Sequence, residues 1–92
     1  MRVVYKYKLA SSQQVLELRR GFKVVHTGSQ GIRNSVGEEN FIWIELDLEN
    51  AIENVVFHTF GTGHNIMNPS YKHIGSIFNG AYVWHIYQGG AI

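Results

Sequence analysis

Ninety-two residues suit one small domain, and 45% hydrophobic with 13% aromatic residues can fill a core unaided by disulfides or metal. A formal net charge of +1, with Arg19-Arg20 the one adjacent basic pair, provides no basic stripe and argues against duplex nucleic acid as a partner. Cysteine is absent, which removes disulfides, thiolate zinc sites and a cysteine nucleophile, and no apolar run approaches the roughly 20 residues of a membrane span.

Lys6 and Lys8 interrupt the first apolar run, so it is no signal-peptide core, and the expectation is a soluble protein of a reducing cytoplasm. From Val4 to Leu9 the chain alternates, with Tyr5 and Tyr7 on one face and Lys6 and Lys8 on the other, the pattern of a half-buried edge strand. Ala10-Ser11-Ser12-Gln13 is a polar turn. Gln14 to Leu18 is too short for a stable helix before Gly21 and reads as a strand. Phe22 to Gln30 is β-branched in its middle, with Phe22, Val24 and His26 on one face and Gly28 suited to a bulge or a close approach. Gly31 to Asn40 is polar and reads as the one long loop.

Phe41 to Leu46 is apolar on both sides until Glu45, as in a central strand. Asp47 to Ala51 is an acidic connection with room for a single helical turn. Val55 to Phe60 is another β-rich run, and it feeds the stretch Gly61-Thr62-Gly63-His64. Asn65 to Ser70 is a loop stopped by Pro69. Asn79-Gly80, between Tyr71–Phe78 and Ala81–Tyr87, is a hairpin signal, since both residues accept positive φ. On the last run Tyr82, Trp84 and Ile86 share one face and Val83, His85 and Tyr87 the other. Gly89 to Ile92 reads as a frayed tail. The sum is an all-β chain, mostly strand, of six to seven short strands in one domain over residues 1–92. It is arranged as a small antiparallel sandwich or a partly closed barrel.

Chemistry can sit in three places. Gly61-Thr62-Gly63-His64 puts successive backbone N–H groups at a strand end, where a nest can hold an anion and His64 can add a donor; the competing reading is a plain tight turn. It is no P-loop, because no Lys-Ser/Thr pair and no helix follow. Of the five histidines, His58, His73 and His85 could meet across neighbouring strands. A metal needs such a cluster, but the spacing is unspecific, and the expectation is no metal and no cofactor. The aromatics Tyr5, Tyr7, Trp43, Tyr71, Tyr82, Trp84 and Tyr87 exceed the needs of one small core, and flat rings stack on bases or bury an interface. Ser70 and Ser76 have no supporting hydrolase motif, and Glu45, Asp47 and Glu53 form no recognisable pair.

Four elements together resemble a family of small proteins carried by bacteriophages and prophages. They are Val4-Tyr5-Lys6-Tyr7, Phe60-Gly61-Thr62-Gly63-His64-Asn65-Ile66, Tyr71…Ile74-Gly75 and Val83-Trp84-His85-Ile86-Tyr87. The resemblance covers nearly the whole chain, which departs from it in carrying Asn65 where a proline is expected and in a longer Gly31–Asn40 region. It implies phage origin and leaves the activity open. By analogy of site and host, the first expectation is a sponge that sequesters a nucleotide-derived immune signal without cleaving it, as a homo-oligomer in the host cytoplasm. Gly61, Thr62, Gly63 and His64 would hold phosphate, with Arg33 or Lys72 assisting, and Trp43, Tyr82 or Trp84 would stack on the base. A module that blocks a host protein ranks second, and a messenger hydrolase third.

Overall fold

A computed structural model describes residues 1–31 and 38–89, and its elements are all strands. In chain order they are β1 (Arg2–Lys8), β2 (Gln13–Arg19), β3 (Lys23–Gly31), β4 (Glu38–Asp47), β5 (Ile52–Gly61), β6 (Lys72–Asn79) and β7 (Tyr82–Gln88). Two antiparallel sheets form, β1-β4-β3 and β2-β5-β7-β6, and they face each other as a sandwich. No barrel closes.

The core lies where the alternating apolar sets of the two sheets meet. Ile42 and Ile44 are 0% exposed and Leu46 2%, on the central strand of the first sheet. Leu16, Leu18, Val55, Phe57, Ile77 and Ile86 answer from the second. Each such side chain contributes roughly 1.5–3 kcal/mol by leaving water. Tyr7 also turns inward, and burial, with Tyr5 beside it, holds its phenol above the ordinary value of 10.0. Lys6 and Lys8 face out, and β1 is an edge strand as its alternation predicts.

Phe41 and Trp43 occupy the outer face of the first sheet. Phe41 is nonetheless buried, 7% exposed, and Trp43 half-buried, with the Lys6 ammonium 4.7 Å from the Phe41 ring centre and the His26 ring 4.9 Å from that of Trp43. The presence of His26 there corrects the expected face. A bulge between Val24 and His26 shifts the register by one residue, so Phe22 and Val24 pack on the core while His26 turns outward against Trp43. The His26 ring then lies over Gly28, 3.1 Å from where a Cβ would stand. That is the close approach Gly28 suggested, with the bulge itself three residues earlier, at Val25.

The expected loop from Gly31 to Asn40 is shorter than the sequence suggests. Ladder pairs Gln30↔Glu39 and Gly31↔Glu38 extend both strands, and Lys6–Gln30 and Lys8–Glu39 contacts hold this polar stretch in the sheet. Arg33 and the rest of 32–37 lie outside the described residues. Gly89 is no frayed end: its N–H donates to the Val56 carbonyl and its own carbonyl accepts from His58 Nε2 at 2.8 Å. Residues 90–92 of the expected tail lie outside the described residues.

The last hairpin is present, but its turn is Gly80-Ala81 rather than Asn79-Gly80. Gly80 takes φ 60, while Asn79 pairs with Tyr82 and reaches across the sandwich to donate from Nδ2 to Asn40 Oδ1 at 3.0 Å. That bond draws Asn79 into the strand. Along the other margin the sheets approach at β3 and β6. Thr27 Oγ1 donates to the Ser76 carbonyl at 3.1 Å and Ser29 Oγ to the Phe78 carbonyl at 2.8 Å.

Candidate functional site

β5 ends at Gly61, and residues Gly61 to His64 form a turn closed twice. The His64 N–H donates to the Gly61 carbonyl, and the Gly61 N–H donates back to His64 Nδ1, both at 3.0 Å. The imidazole folds flat over Gly61, where a Cβ would stand 2.9 Å from Cε1. Gly63 takes φ 88, a backbone that favours glycine. Because Nδ1 accepts, the ring carries its proton on Nε2, which remains as an outward donor. The turn is therefore a narrower anion cradle than its sequence suggests. Gly61 N–H is committed to the ring, whereas the N–H groups of Thr62 and Gly63 have no hydrogen-bond partner among the described residues.

Thr62 has a second task. His85 bridges two hydroxyls, with Nε2 3.0 Å from Thr62 Oγ1 and Nδ1 3.1 Å from Ser76 Oγ, and Ser76 Oγ is 3.4 Å from His73 Nε2. One proton arrangement satisfies the whole chain. His73 Nε2–H donates to Ser76, whose O–H donates to His85 Nδ1; His85 Nε2–H donates to Thr62, whose O–H reaches the Val83 carbonyl at 3.4 Å. This relay ties the turn to β6 and β7 on the outer face of the second sheet. His58 sits apart, 8% exposed, stacked at 4.3 Å on Tyr71. Among the described residues no group of three or more His, Asp or Glu side chains could hold a metal ion.

The turn lies beside the start of β7, where Gly61 pairs with Trp84. Gly61, Thr62 and His64 form one wall and Ala81 to Trp84 the other, around an open cleft of about 440 Å³. Tyr82 and Trp84 lie nearly parallel, centres 5.8 Å apart and planes 23° apart, with Tyr82 67% exposed. Trp84 has two environments at once: it packs on the core and also borders the neighbouring space beside Leu9, Ala10 and Asn40. Of the residues expected from sequence, Gly61, Thr62, Gly63, His64, Tyr82 and Trp84 come together.

Two do not. Trp43 lies on the outside of the other sheet, because Ile42, Ile44 and Leu46 take the inward positions of β4. Lys72 begins β6, seven residues from Asn79 at the hairpin, or about 23 Å along an extended strand. It lines a different cleft with Lys23. His85, the partner of Thr62, and Ser76, which bonds the other nitrogen of the same ring, are absent from the sequence-based site. The signal that would have found them is the hairpin register, which pairs Ser76 directly with His85 once the turn is placed at Gly80-Ala81.

No described helix is long and apolar enough to cross a membrane. No curated protein and no solved structure matches the chain. A family model described as "Domain of unknown function (DUF7352)" matches residues 1–91, and the chain therefore belongs to that family.

Proposed function

We propose that this protein binds and sequesters a nucleotide-derived immune signal, a cyclic ADP-ribose isomer or a cyclic oligonucleotide, without cleaving it. One observation carries the reading: the near-parallel Tyr82 and Trp84 rings stand across a cleft from a turn with unpartnered N–H groups at Thr62 and Gly63. Flat rings suit a base, and clustered N–H donors with His64 Nε2–H suit a phosphate. The resemblance to phage-borne proteins supplies the setting, an anti-defence role in a bacterial host. Phe78 and Tyr82, 75% and 67% exposed at the hairpin end, are apolar surface that a second copy would cover, which supports a homo-oligomer with the cleft near the subunit boundary.

The same exposed Phe78 and Tyr82 favour a second reading, in which the hairpin end docks on a host protein and blocks it. Native mass spectrometry against cyclic dinucleotides and cyclic ADP-ribose isomers separates the two. Sequestration predicts a stoichiometric mass shift, recovered as unmodified ligand on denaturation and lost in Tyr82→Ala. A panel without any shift rejects sequestration and leaves the protein-docking reading. Ligand recovered in cleaved form makes the protein a hydrolase instead.

A further inference from the structure

At the far end of the molecule, the starts of β3 and β6 diverge around a cleft of about 450 Å³. Phe22, Lys23, Lys72, His73, Ile74 and Gln88 are among the residues lining it. Its two lysines are unlike the other basic side chains of the described residues. Arg2 is held by Glu45, Lys6 by Gln30, Lys8 by Glu39, Arg19 by the Asn50 carbonyl and Arg20 by Glu53. Lys23 and Lys72 have neither a carboxylate nor a hydrogen-bond partner there. Glu45 stands opposite Lys23 in the ladder, but its carboxylate is taken by Arg2 at 2.8 and 2.9 Å.

The lysines come from different sheets, so the fold brings two like charges to one concavity and leaves them uncompensated. Like charges sharing a cleft repel, and a bound anion with several acceptor oxygens turns that repulsion into attraction on both sides. Gln88, also without a side-chain partner among the described residues, offers a neutral amide donor. Phe22 and Ile74 pack on the core and form an apolar wall.

We propose that this cleft binds the phosphate group of a small phosphorylated molecule, held between Lys23 and Lys72. Phosphate fits better than a single carboxylate, because its charge of about −1.5 to −2 offsets both ammonium groups and its third terminal oxygen is left for the Gln88 amide. A nucleic-acid backbone fits poorly, since the remaining cationic side chains of the described residues are already partnered and form no basic track out of the cleft. This site is independent of the Tyr82–Trp84 cleft, from which it is separated by the length of β6.

The test is a titration of the full chain followed by two-dimensional ¹H–¹⁵N NMR. Pyrophosphate, inorganic phosphate and adenosine monophosphate are the three probes. The expected result is saturable movement of the Phe22, Lys23, Ile74 and Gln88 amides, with those of Thr62, Gly63 and Tyr82 still. Lys23→Ala or Lys72→Ala should weaken binding by about tenfold or more, the loss of one charge-assisted contact. Lys72→Arg, which keeps the charge, should restore most of it, and added salt should weaken binding in the native chain. Unchanged spectral dispersion in the variants establishes that they are folded. Saturation by pyrophosphate and inorganic phosphate as well as the nucleotide identifies phosphate as the group recognised; saturation by the nucleotide alone overturns that identification. Linear, unsaturable shifts overturn the site, as does equal affinity in Lys23→Ala/Lys72→Ala. Shifts confined to Thr62, Gly63 and Tyr82 also reject this cleft while supporting the other one.

Discussion

Gly75 on β6 lies against Thr27 of the opposite sheet with no room for a side chain. A Cβ built there stands 2.7 Å from Thr27 Oγ1, 3.1 Å from Cγ2 and 3.5 Å from the Thr27 Cβ. Thr27 cannot move aside cheaply. Its χ1 is stiff, rotation would swap one clashing atom for another, and its hydroxyl is held by the Ser76 carbonyl at 3.1 Å. Gly75→Ala should therefore cost about 1–3 kcal/mol as overpacking, offset by the roughly 0.4–1 kcal/mol that Ala gains by restricting the unfolded chain. Thr27→Ala alone should cost about 1 kcal/mol for its hydrogen bond. The double variant removes both clashing atoms and leaves only the 3.5 Å contact, so it should be no less stable than Thr27→Ala alone. The cycle then shows a compensating coupling of about 1–3 kcal/mol. Urea unfolding followed by Trp43 and Trp84 fluorescence reads it as midpoints at constant slope. Additive costs, with Gly75→Ala changing stability by the same amount in the native and Thr27→Ala backgrounds, would refute the packing argument.

The turn makes its own predictions. His64→Ala removes the acceptor of the Gly61 N–H and should cost about 1 kcal/mol, with faster hydrogen exchange at Gly61 and the rest of the fold unchanged. Gly61→Ala should have the same local effect, because its Cβ displaces the imidazole, and a turn insensitive to both would show that the ring does not close it. Thr62→Val keeps the shape but removes the hydroxyl that His85 meets, so the His85 ring signals in ¹⁵N NMR should move while those of His58 stay. At the other end of β4, the Glu49 N–H and then the N-terminal ammonium hold the Asp47 carboxyl below its ordinary 3.8. A lowered folded value adds stability that is fully present above 3.8 and is lost as pH falls from there through the folded value, so Asp47→Asn should flatten acid unfolding within that window. An unchanged acid limb would show that the carboxylate is not engaged.

Much of this was legible because strands advertise themselves by a period of two. Tyr5 and Tyr7 against Lys6 and Lys8, and Tyr82, Trp84 and Ile86 against Val83, His85 and Tyr87, fall on the faces that alternation assigns. What alternation cannot convey is partner identity. Moving the hairpin turn from Asn79-Gly80 to Gly80-Ala81 preserves every face yet moves each partner by two residues, and the Ser76–His85 contact depends on that shift. The side-chain bond from Asn79 to Asn40 connects opposite sheets, and no local pattern encodes it. His26 failed for a related reason: a bulge inserts one residue, and every face after it inverts. Trp43 and Lys72 were grouped with the turn by chemical type alone. Their places follow from the sheet each strand joins, which is a non-local choice.

The margin between β3 and β6 explains why cleft-bearing ends exist at all. Two edge strands lie side by side there, and a ladder between them would have drawn the sandwich toward a barrel. Instead hydroxyls act as the donors, Thr27 to Ser76 and Ser29 to Phe78, running the same way along both strands. Hydroxyls reach from side chains, so they join the strands over a short span. Gly75 fits beneath Thr27 because it lacks a side chain. Upstream of that seam β3 and β6 separate, and the space between them is the Lys23–Lys72 cleft. A continuous ladder would have closed it. The seam thus does for this cleft what the Gly61–His64 turn does for the other: a few side-chain bonds to backbone set the spacing of two walls, while the apolar core beneath keeps each wall flat. Loosening Thr27 should then weaken phosphate binding at Lys23 and Lys72 without touching either lysine, and leave the Tyr82–Trp84 cleft as it was.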